Sequence, residues 1–496
     1  MKEMSYIVSI DQGTSSSRAI LFDKKFSVIH SNQLEFKQHF PNEGWVEHNP
    51  TDIWNTVFTT TENVIKESSV DINQIASIGI TNQRETTLIW DKKTGEEIYP
   101  AIVWQDRRTA NFCSSIKDVS FEKDIANKTG LIIDPYFSAT KIHWILNNVD
   151  GARKKADEGR LAFGTIDSYL VWKLTEGRVH KTDATNASRT MLYNIEEDCW
   201  DEDLLNFFQI PRKLMPDVAN NVDDFGHTTL FGGKINIGGV AGDQQSALIG
   251  QGCFNVGEAK CTFGTGAFLI VNTGKTKIHS KNRLLSTIAY KFNNKITYGL
   301  EGSVFVAGSA IQWLRDELNF FESATDTEEL IQRRNKESQV MVVPAFTGLG
   351  APHWDPETRG AIFGLTRGSG IKEITSATLE SIAFQTKDLV EAAKKDGADI
   401  NQLRIDGGMV ANDWFNNQLA SLINVKVLKP RILETTALGA AYLAGISSGL
   451  VEDLTSLNES VSFEKEIYPD KDLSSSINKK YLNWLKAVES TRLIKN

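Results

Sequence analysis

The sequence predicts an α/β protein built from two related halves. Two observations carry that expectation. Short apolar runs of strand length alternate with helix-length amphipathic runs throughout the chain. A Gly-Thr turn also recurs beside apolar runs: Ile10-Asp11-Gln12-Gly13-Thr14-Ser15, then Thr262-Phe263-Gly264-Thr265-Gly266, with Thr14 and Thr265 standing 251 residues apart, about half of the 496 residues. Two halves that each carry such a hairpin turn would face one another across a cleft.

In chain order, Tyr6–Ile10, Ala19–Phe22, Ile75–Ile80 and Leu88–Trp90 read as strands, being short and apolar with polar or Gly neighbours. Phe268–Val271, Val340–Val343 and Val425–Leu428 read the same way in the second half. Helices are expected over Ser303–Leu318 and over Trp414–Ile423, where Phe415, Leu419, Leu422 and Ile423 share one face. The stretch from Val451 to Asn496 is polar and charged, with Tyr481, Trp484 and Leu485 as its expected anchors. No Pro, Ser or charge block marks a linker. The best cut lies in the Gly-rich Gly250–Gly257, giving domains at 1–252 and 253–496.

Composition excludes several classes. Hydrophobic residues are 41% and charged residues 24%, an ordinary globular balance without disorder or fibrous repeats. A net charge of −9 disfavours broad binding to nucleic acid or anionic membranes. No apolar run approaches the length of a membrane span, and Tyr6–Ile10 is too short for a signal core. Cys113, Cys199, Cys253 and Cys261 form no C-x-x-C pair and are too sparse for a disulfide framework, which points to a reduced, cytoplasmic setting. The His residues show no zinc spacing.

Two nucleotide motifs fail on inspection. Asn272-Thr273-Gly274-Lys275-Thr276 resembles the end of a P-loop, but the Gly required five positions earlier is Leu269. Gly264-x-Gly266 lacks the third Gly of a dinucleotide fingerprint, because Leu269 stands there too. Asp11-Gln12-Gly13-Thr14 differs in kind. A strand ends in an acid, Gly lets backbone N–H groups approach phosphate oxygens, and Thr14, Ser15 and Ser16 offer hydroxyls, with Arg18 just beyond. Asp11 suits Mg²⁺, held through water because Mg²⁺ dehydrates reluctantly. Gly242-Asp243-Gln244 supplies a second acid, Asp243, at a Gly-rich strand end. A capped hairpin turn is the structural alternative for the first acid, and a helix N-cap for the second. Together they point to phosphoryl transfer, with Asp11 and Asp243 as the carboxylates for Mg²⁺.

Two helical pairs and one polar cluster extend this reading. Gly308 with Gln312, and Gly408 with Asn412, stand four residues apart, so each pair would let a flat ring approach a helix and still meet an amide. Thr81-Asn82-Gln83-Arg84-Glu85-Thr86-Thr87 follows an apolar strand. The adjacent Arg84 and Glu85 suit vicinal hydroxyls, the guanidinium donating and the carboxylate accepting. Asp134-Pro135-Tyr136 exposes a phenol, and Trp104 and Phe268 offer apolar walls. A surface salt bridge beside buried aromatics is the alternative.

These residues coincide with a family pattern: the chain resembles the FGGY carbohydrate kinases of the actin-like ATPase superfamily. The likeness runs from about Tyr6 to Gly449 and includes Asp11–Arg18, Gly44–His48, Thr81–Thr87, Asp134–Lys141, Asn186–Leu192 and Ala241–Gln245. It continues through Gly264–Phe268, Pro344–Pro352, Asp406–Asn412 and Ala437–Gly445. Within the family it is similar to the branch whose acceptor is glycerol, which Gln83-Arg84-Glu85 with Asp134-Pro135-Tyr136 separates from the pentose kinases. The resemblance implies two actin-like (ribonuclease H-like) domains, each a mixed sheet flanked by helices, with catalysis in an interdomain cleft. It implies that glycerol is held by Arg84, Glu85, Tyr136, Asp243 and Gln244, with Trp104 and Phe268 on its carbons. Asp243 would be the general base. Thr14, Ser15, Ser16, Arg18 and Thr265 would contact the phosphates of ATP, and Gly308, Gln312, Gly408 and Asn412 would line the adenosine side. The implied reaction is Mg·ATP plus glycerol giving sn-glycerol 3-phosphate and ADP, by a homodimer or homotetramer.

The sequence departs from the family in two regulatory places. The loop Phe231–Asn236 is short and lacks the Gly-Gly-Thr-Arg-like extension that binds fructose 1,6-bisphosphate in some members. Thr229 stands where other members carry a phosphorylated His, with His227 two residues earlier. These departures put both control modes in doubt for this chain. The competing readings are a kinase for another small polyol or sugar, and a non-catalytic, nucleotide-driven interaction protein, which would need the phosphate turns without Arg84, Glu85, Tyr136 and Asp243.

Overall fold

The computed structural model describes residues 5–335, 337–454, 456–459 and 461–494. The chain starts with strands β1 (Tyr6–Gln12), β2 (Ser16–Asp23) and β3 (Val28–Glu35), helix α1 (Pro50–Glu67) and strand β4 (Ile75–Asn82). After α2 (Ser138–Asn148) and the short α3 (Ala184–Ala187) come β5 (Ile235–Gly242) and α4 (Asp243–Gly250). The second half continues with β6 (Glu258–Phe263), β7 (Ala267–Gly274), β8 (Lys295–Val304), α5 (Gly308–Asp316), α6 (Ile371–Lys395), β9 (Gln402–Asp406), α7 (Asp413–Ile423) and β10 (Lys426–Pro430). It ends with α8 (Thr435–Ser447), β11 (Phe463–Ile467) and α9 (Lys471–Leu493).

The structure divides into two compact units. The first holds the residues up to Gly252 together with Ser286–Tyr298 and Glu434–Val461; the second holds Cys253–Leu285, Gly299–Leu433 and the residues from Ser462 onward. In the first, the sheet order is His227–Thr228, β5, β4, β1, β2, β3. β1 pairs antiparallel with β2 and parallel with β4, and β4 pairs parallel with β5. The other main sheet has seven strands, in the order Leu285–Phe292, β8, β7, β6, β9, β10, β11, with β6 antiparallel to β7, parallel to β9, and β9 parallel to β10. The hairpin β1–β2 and the hairpin β6–β7 thus hold the same topological place, each on the central strand of its sheet. The Gly-Thr echo in the sequence marks these two hairpin tips.

Side-chain alternation sets the two faces of the first sheet. Val8 and Ile10 join Ile53 and Val57 of α1 in one buried cluster. Ser9 points the other way and donates to the Ala437 carbonyl of α8 at 2.7 Å. β4 is buried along its whole length, Ser77, Thr81 and Asn82 included, as befits an inner parallel strand covered on both faces. α8 also lies against α4: Ser246 donates to the Thr436 carbonyl at 2.7 Å. A Cβ on Gly439 would collide with the Ser246 carbonyl, and one on Gly79 of β4 with the Ala440 carbonyl. Backbones approach this closely only where no side chain intervenes.

All seven expected strand runs fall on strands, with bounds that differ by one to three residues: Leu88–Asp91, Met341–Val343 and Lys426–Pro430 cover the three not labelled β1, β2, β4 or β7, apart from Val340 and Val425, which lie just outside. α7 carries the expected apolar face, with Phe415, Leu419, Leu422 and Ile423 buried. Trp484 is buried and donates to the Val342 carbonyl at 2.8 Å, and Tyr481 donates to Asp388, while Leu485 is only half-buried. The helix expected over Ser303–Leu318 is shorter. Ser303 and Val304 complete β8, and α5 starts at Gly308, because the Ala307 and Gly308 N–H groups are bound by the Thr265 and Gly264 carbonyls at 2.8 and 2.9 Å. Among the described residues no helix is long and apolar enough to cross a membrane.

The α4–α8 contact gives a direct test. Gly439→Ala forces a methyl into the Ser246 carbonyl and should cost about 1–3 kcal/mol, read as a lower urea midpoint with unchanged slope; a midpoint equal to that of the unsubstituted protein would contradict the close approach.

Candidate active site

The chemistry-bearing residues of the first unit gather at the ends of β1, β4 and β5. The tip Gly13–Ser15 closes the β1–β2 hairpin with a Gly13 N–H to Ser16 carbonyl bond of 2.9 Å. Thr14 accepts from the Trp104 indole N–H at 3.0 Å, which ties the hydroxyl turn to an aromatic wall. Ser15 is exposed, and Ser16 accepts from Gln33 at 2.9 Å. Arg18 lies opposite Asp11 in the hairpin register; its guanidinium donates to Gln33 Oε1 at 2.6 and 3.0 Å and pairs with Glu434.

β4 ends at Asn82, and the chain turns through Gln83-Arg84-Glu85. Arg84 and Glu85 are both almost fully buried. Glu85 has φ 59°, and the Thr86 N–H returns to the Arg84 carbonyl at 2.6 Å, a tight γ-turn. A left-handed non-glycine residue costs about 1–2 kcal/mol. Here the Glu85 carbonyl is held by Ser138 Oγ at 3.0 Å and Lys141 Nζ at 3.4 Å, both on α2. Lys141 also donates to the Tyr136 carbonyl at 2.8 Å, and burial pushes its ammonium down to about 8. The Glu85 carboxylate receives Arg189 Nε at 2.7 Å and lies 3.9 Å from Arg84 Nε. Arg84 Nε is 3.4 Å from Asp243 Oδ1, and Arg84 Nη1 donates to Gln245 at 3.1 Å.

Asp243 is the first residue of α4 and is not its cap: Gly242 holds that position. Its carboxylate accepts the Gln244 N–H at 2.7 Å and stays partly exposed, and Gln244 is buried beside it. Tyr136 is buried, with its ring edge-on to Trp104 at 5.7 Å and the Arg189 guanidinium 5.8 Å from its centre. The structure therefore brings Arg84, Glu85 and Asp243 together, and Tyr136 beside Trp104. Phe268 lies on β7 in the second unit.

Asp11 provides the electrostatic test for a cation. Burial pushes its carboxyl up to about 7, Arg18 opposes, and the carboxylates of Asp243 and Glu434 add to the rise. Oxygen donors that repel one another suit a hard divalent ion, which would relieve that repulsion. Among the described residues no group of three or more metal-ligating side chains forms a closed cage.

The second unit contains a cavity of about 380 Å³ lined by Thr265, Gly308, Gln312, Gly408 and Asn412, with Arg315 at its side. Its size is that of a small-ligand pocket. A Cβ on Gly308 would stand 2.5 Å from the Gly264 carbonyl, so only Gly fits where α5 meets the β6–β7 tip. Gln312 follows one helical turn later. Gly408 and Asn412 do not share an α-helix face as their spacing suggested. Gly408 opens a 3₁₀ turn, and Asn412 caps α7, accepting the Phe415 N–H at 2.9 Å and donating to Thr327 at 3.1 Å. Both still line the cavity.

Sequence reasoning missed Arg189, Gln245 and Lys141 as site residues. Arg189 is fully buried on Glu85 from 104 residues away. It lies within Asn186–Leu192, a segment matched to the family but given no role. A charged residue among small polar ones was the only local signal.

Comparison with known proteins agrees over the full length. The N-terminal domain of the FGGY family of carbohydrate kinases matches residues 6–250, and its C-terminal domain matches residues 259–448. A glycerol kinase of Alteromonas mediterranea is 55% identical over 456 residues, 91% of this chain and 92% of that protein. A glycerol kinase of Marinomonas sp. is 52% identical over 489 residues, 98% of this chain and 99% of that protein. The structure of Plasmodium falciparum glycerol kinase with ADP superposes with a TM-score of 0.90 at 37% identity, covering 100% of this chain and 99% of the other. With both domain patterns matched in order along the chain, the chain belongs to the FGGY family of carbohydrate kinases.

Proposed function

We propose that this protein is an ATP:glycerol 3-phosphotransferase, a glycerol kinase that transfers the γ-phosphoryl group of ATP to a terminal hydroxyl of glycerol. The products are sn-glycerol 3-phosphate and ADP, the first step of glycerol catabolism in the cytoplasm. The observation that carries the reading is the buried Arg84–Glu85 pair beside the partly exposed Asp243 carboxylate, 3.4 Å from Arg84 Nε. Relatives more than 50% identical over nearly the whole chain, named for the same activity, support it.

Each residue has a definable task. Glu85 accepts from a glycerol hydroxyl, Arg84 donates to a neighbouring one, and the Tyr136 phenol and Gln244 amide supply further directed bonds. Trp104 and Phe268 cover the carbons. Glycerol is prochiral, so several directed bonds are needed to select which terminal oxygen is phosphorylated. Asp243 accepts the proton from that hydroxyl as its oxygen attacks the γ-phosphorus and the bond to the ADP oxygen breaks. Thr14, Ser15, Ser16, Arg18 and Thr265 hold the phosphates, and Gly308, Gln312, Gly408 and Asn412 line the adenosine. Asp11 and Asp243 would hold Mg²⁺ through water, and the ion when bound neutralises phosphate charge. The active form is a homodimer or homotetramer.

An ADP-release assay over glycerol, dihydroxyacetone, erythritol, xylulose and gluconate tests the substrate. Glycerol should be preferred steeply, since an analogue missing a hydroxyl leaves buried polar groups unpaired; glycerol-independent ATP hydrolysis would overturn the assignment. Asp243→Asn should fold and bind ATP but lose about 10²–10⁴-fold in kcat, and near-normal turnover would remove Asp243 as the base. Arg84→Ala should raise KM for glycerol with KM for ATP little changed; an unmoved glycerol KM places the triol elsewhere. Arg189→Lys keeps the charge but loses the planar fork. It should raise glycerol KM about tenfold, from one weakened charge-assisted bond to Glu85, and unaltered kinetics would show that Glu85 needs no such support.

A further inference from the structure

The polar groups behind the acceptor site form a closed network around one carboxylate, Asp183. It is fully buried, as are Thr185, Asn186 and Asn82. Asp183 Oδ2 accepts the Thr185 N–H at 2.6 Å, the Thr185 hydroxyl at 2.5 Å and Asn221 Nδ2 at 2.8 Å. Its Oδ1 accepts Asn186 Nδ2 at 2.7 Å and the Asn186 N–H at 3.3 Å. Asn221 also donates to the Val240 carbonyl of β5 at 2.8 Å, and two further arms leave this centre toward the reactive groups. In one, the Thr185 oxygen, its proton given to Asp183, accepts the Gly242 N–H at 2.9 Å. Gly242 is the cap of α4, immediately before Asp243. In the other, Asn186 and Asn82 exchange two amide bonds of 3.0 Å, and Asn82 is the last residue of β4 before Gln83-Arg84-Glu85. Gly242 and Asn82 are register partners on adjacent strands, so both arms act on the same rung of the sheet.

We propose that Asp183 is a positioning residue for phosphoryl transfer, holding the base Asp243 through Thr185 and the Arg84–Glu85 pair through Asn186 and Asn82. This rests on the glycerol kinase reading above. The chemistry requires an acceptor at the centre. Five donors converge on Asp183, and only while its oxygen takes the Thr185 proton is the Thr185 lone pair aimed at Gly242. An amide in its place would turn a donor toward donors on either side. Burial and the neighbouring Asp167 push the Asp183 carboxyl up, and the Thr185 and Asn186 donors oppose that rise. Asp167 is itself bound by the Thr165 and Thr182 hydroxyls at 2.5 and 2.6 Å.

The two arms predict different kinetics, which separates positioning from general support of the fold. On the full-length protein with glycerol and Mg·ATP, Thr185→Val leaves the Gly242 N–H without its acceptor and should lower kcat about tenfold while glycerol KM moves less than about twofold. Asn186→Ala should do the reverse, raising glycerol KM about tenfold with a smaller change in kcat. Thr185→Ser should restore kcat, and Asp183→Asn should show both defects. If Thr185→Val does not fold, Thr185→Ala, which also removes the hydroxyl that accepts the Gly242 N–H, reads the same arm. The proposal is overturned if Thr185→Val keeps full kcat, or if both arms lower the same parameter in step with their melting temperatures. Absence of glycerol phosphorylation by the unsubstituted protein would instead sink the underlying reading, before any variant is compared.

Discussion

The first unit depends on backbone-to-backbone contact that leaves no room for side chains. Gly439 of α8 meets the Ser246 carbonyl of α4, and Gly79 of β4 meets the Ala440 carbonyl of α8. Ser9 and Ser246 spend their hydroxyls on α8 carbonyls at the same interface. Dispersion falls away quickly with separation, so a helix seated this closely has one position rather than a range. That matters because α4 starts with Asp243 and β4 ends at the turn bearing Arg84 and Glu85. Residues with no chemistry of their own thus fix where the reactive carboxylate and the paired guanidinium stand.

The electrostatics follow a similar logic of local control. A chain of net charge −9 has no general attraction for a nucleotide. Within the first unit, cations are placed individually: Arg189 on Glu85, Arg84 near Asp243, Arg18 on Glu434. A buried ion pair adds little net stability, since desolvation offsets most of the attraction, but removing one partner is costly. Such pairs therefore act as constraints on geometry more than as sources of stability. Glu85 shows this at its sharpest, with a left-handed backbone held at its carbonyl and its carboxylate held by Arg189.

Much of this was legible in the sequence because the relevant physics is local. Strands β1, β2, β4 and β7 were visible as apolar runs, and the Arg84-Glu85 and Asp243 turns as polar residues at strand ends. The Gly-Thr echo was meaningful at a level above the dipeptide, since it marks the corresponding hairpin in two sheets, one of six strands and one of seven, whose orders match apart from the extra edge strand. What could not be read depends on distant partners. Arg189 finds Glu85 across 104 residues, and Thr185 finds Gly242 across 57. The start of α5 was misplaced because carbonyls of the β6–β7 tip, not a capping side chain, decide it. Asn412 was read as a helix-face residue, although Asn at that spacing before Phe415 equally suits an N-cap. Nothing in the composition marks residues 434–461 as part of the first unit.

That last segment has a consequence for how the molecule is made. The ribosome delivers β1 to α4 first, but the helix that seats against β4 and α4 is α8, emitted after almost all of the second unit. Until Ser447 has left the exit tunnel, the Ala440 and Thr436 carbonyls are not there to meet Gly79 and Ser246. The face of the first sheet that carries Ser9 waits uncovered through that interval. Synthesis order and burial order are therefore reversed for this unit, and the nascent chain is most exposed to chaperones and proteases across the very strands that later carry its chemistry.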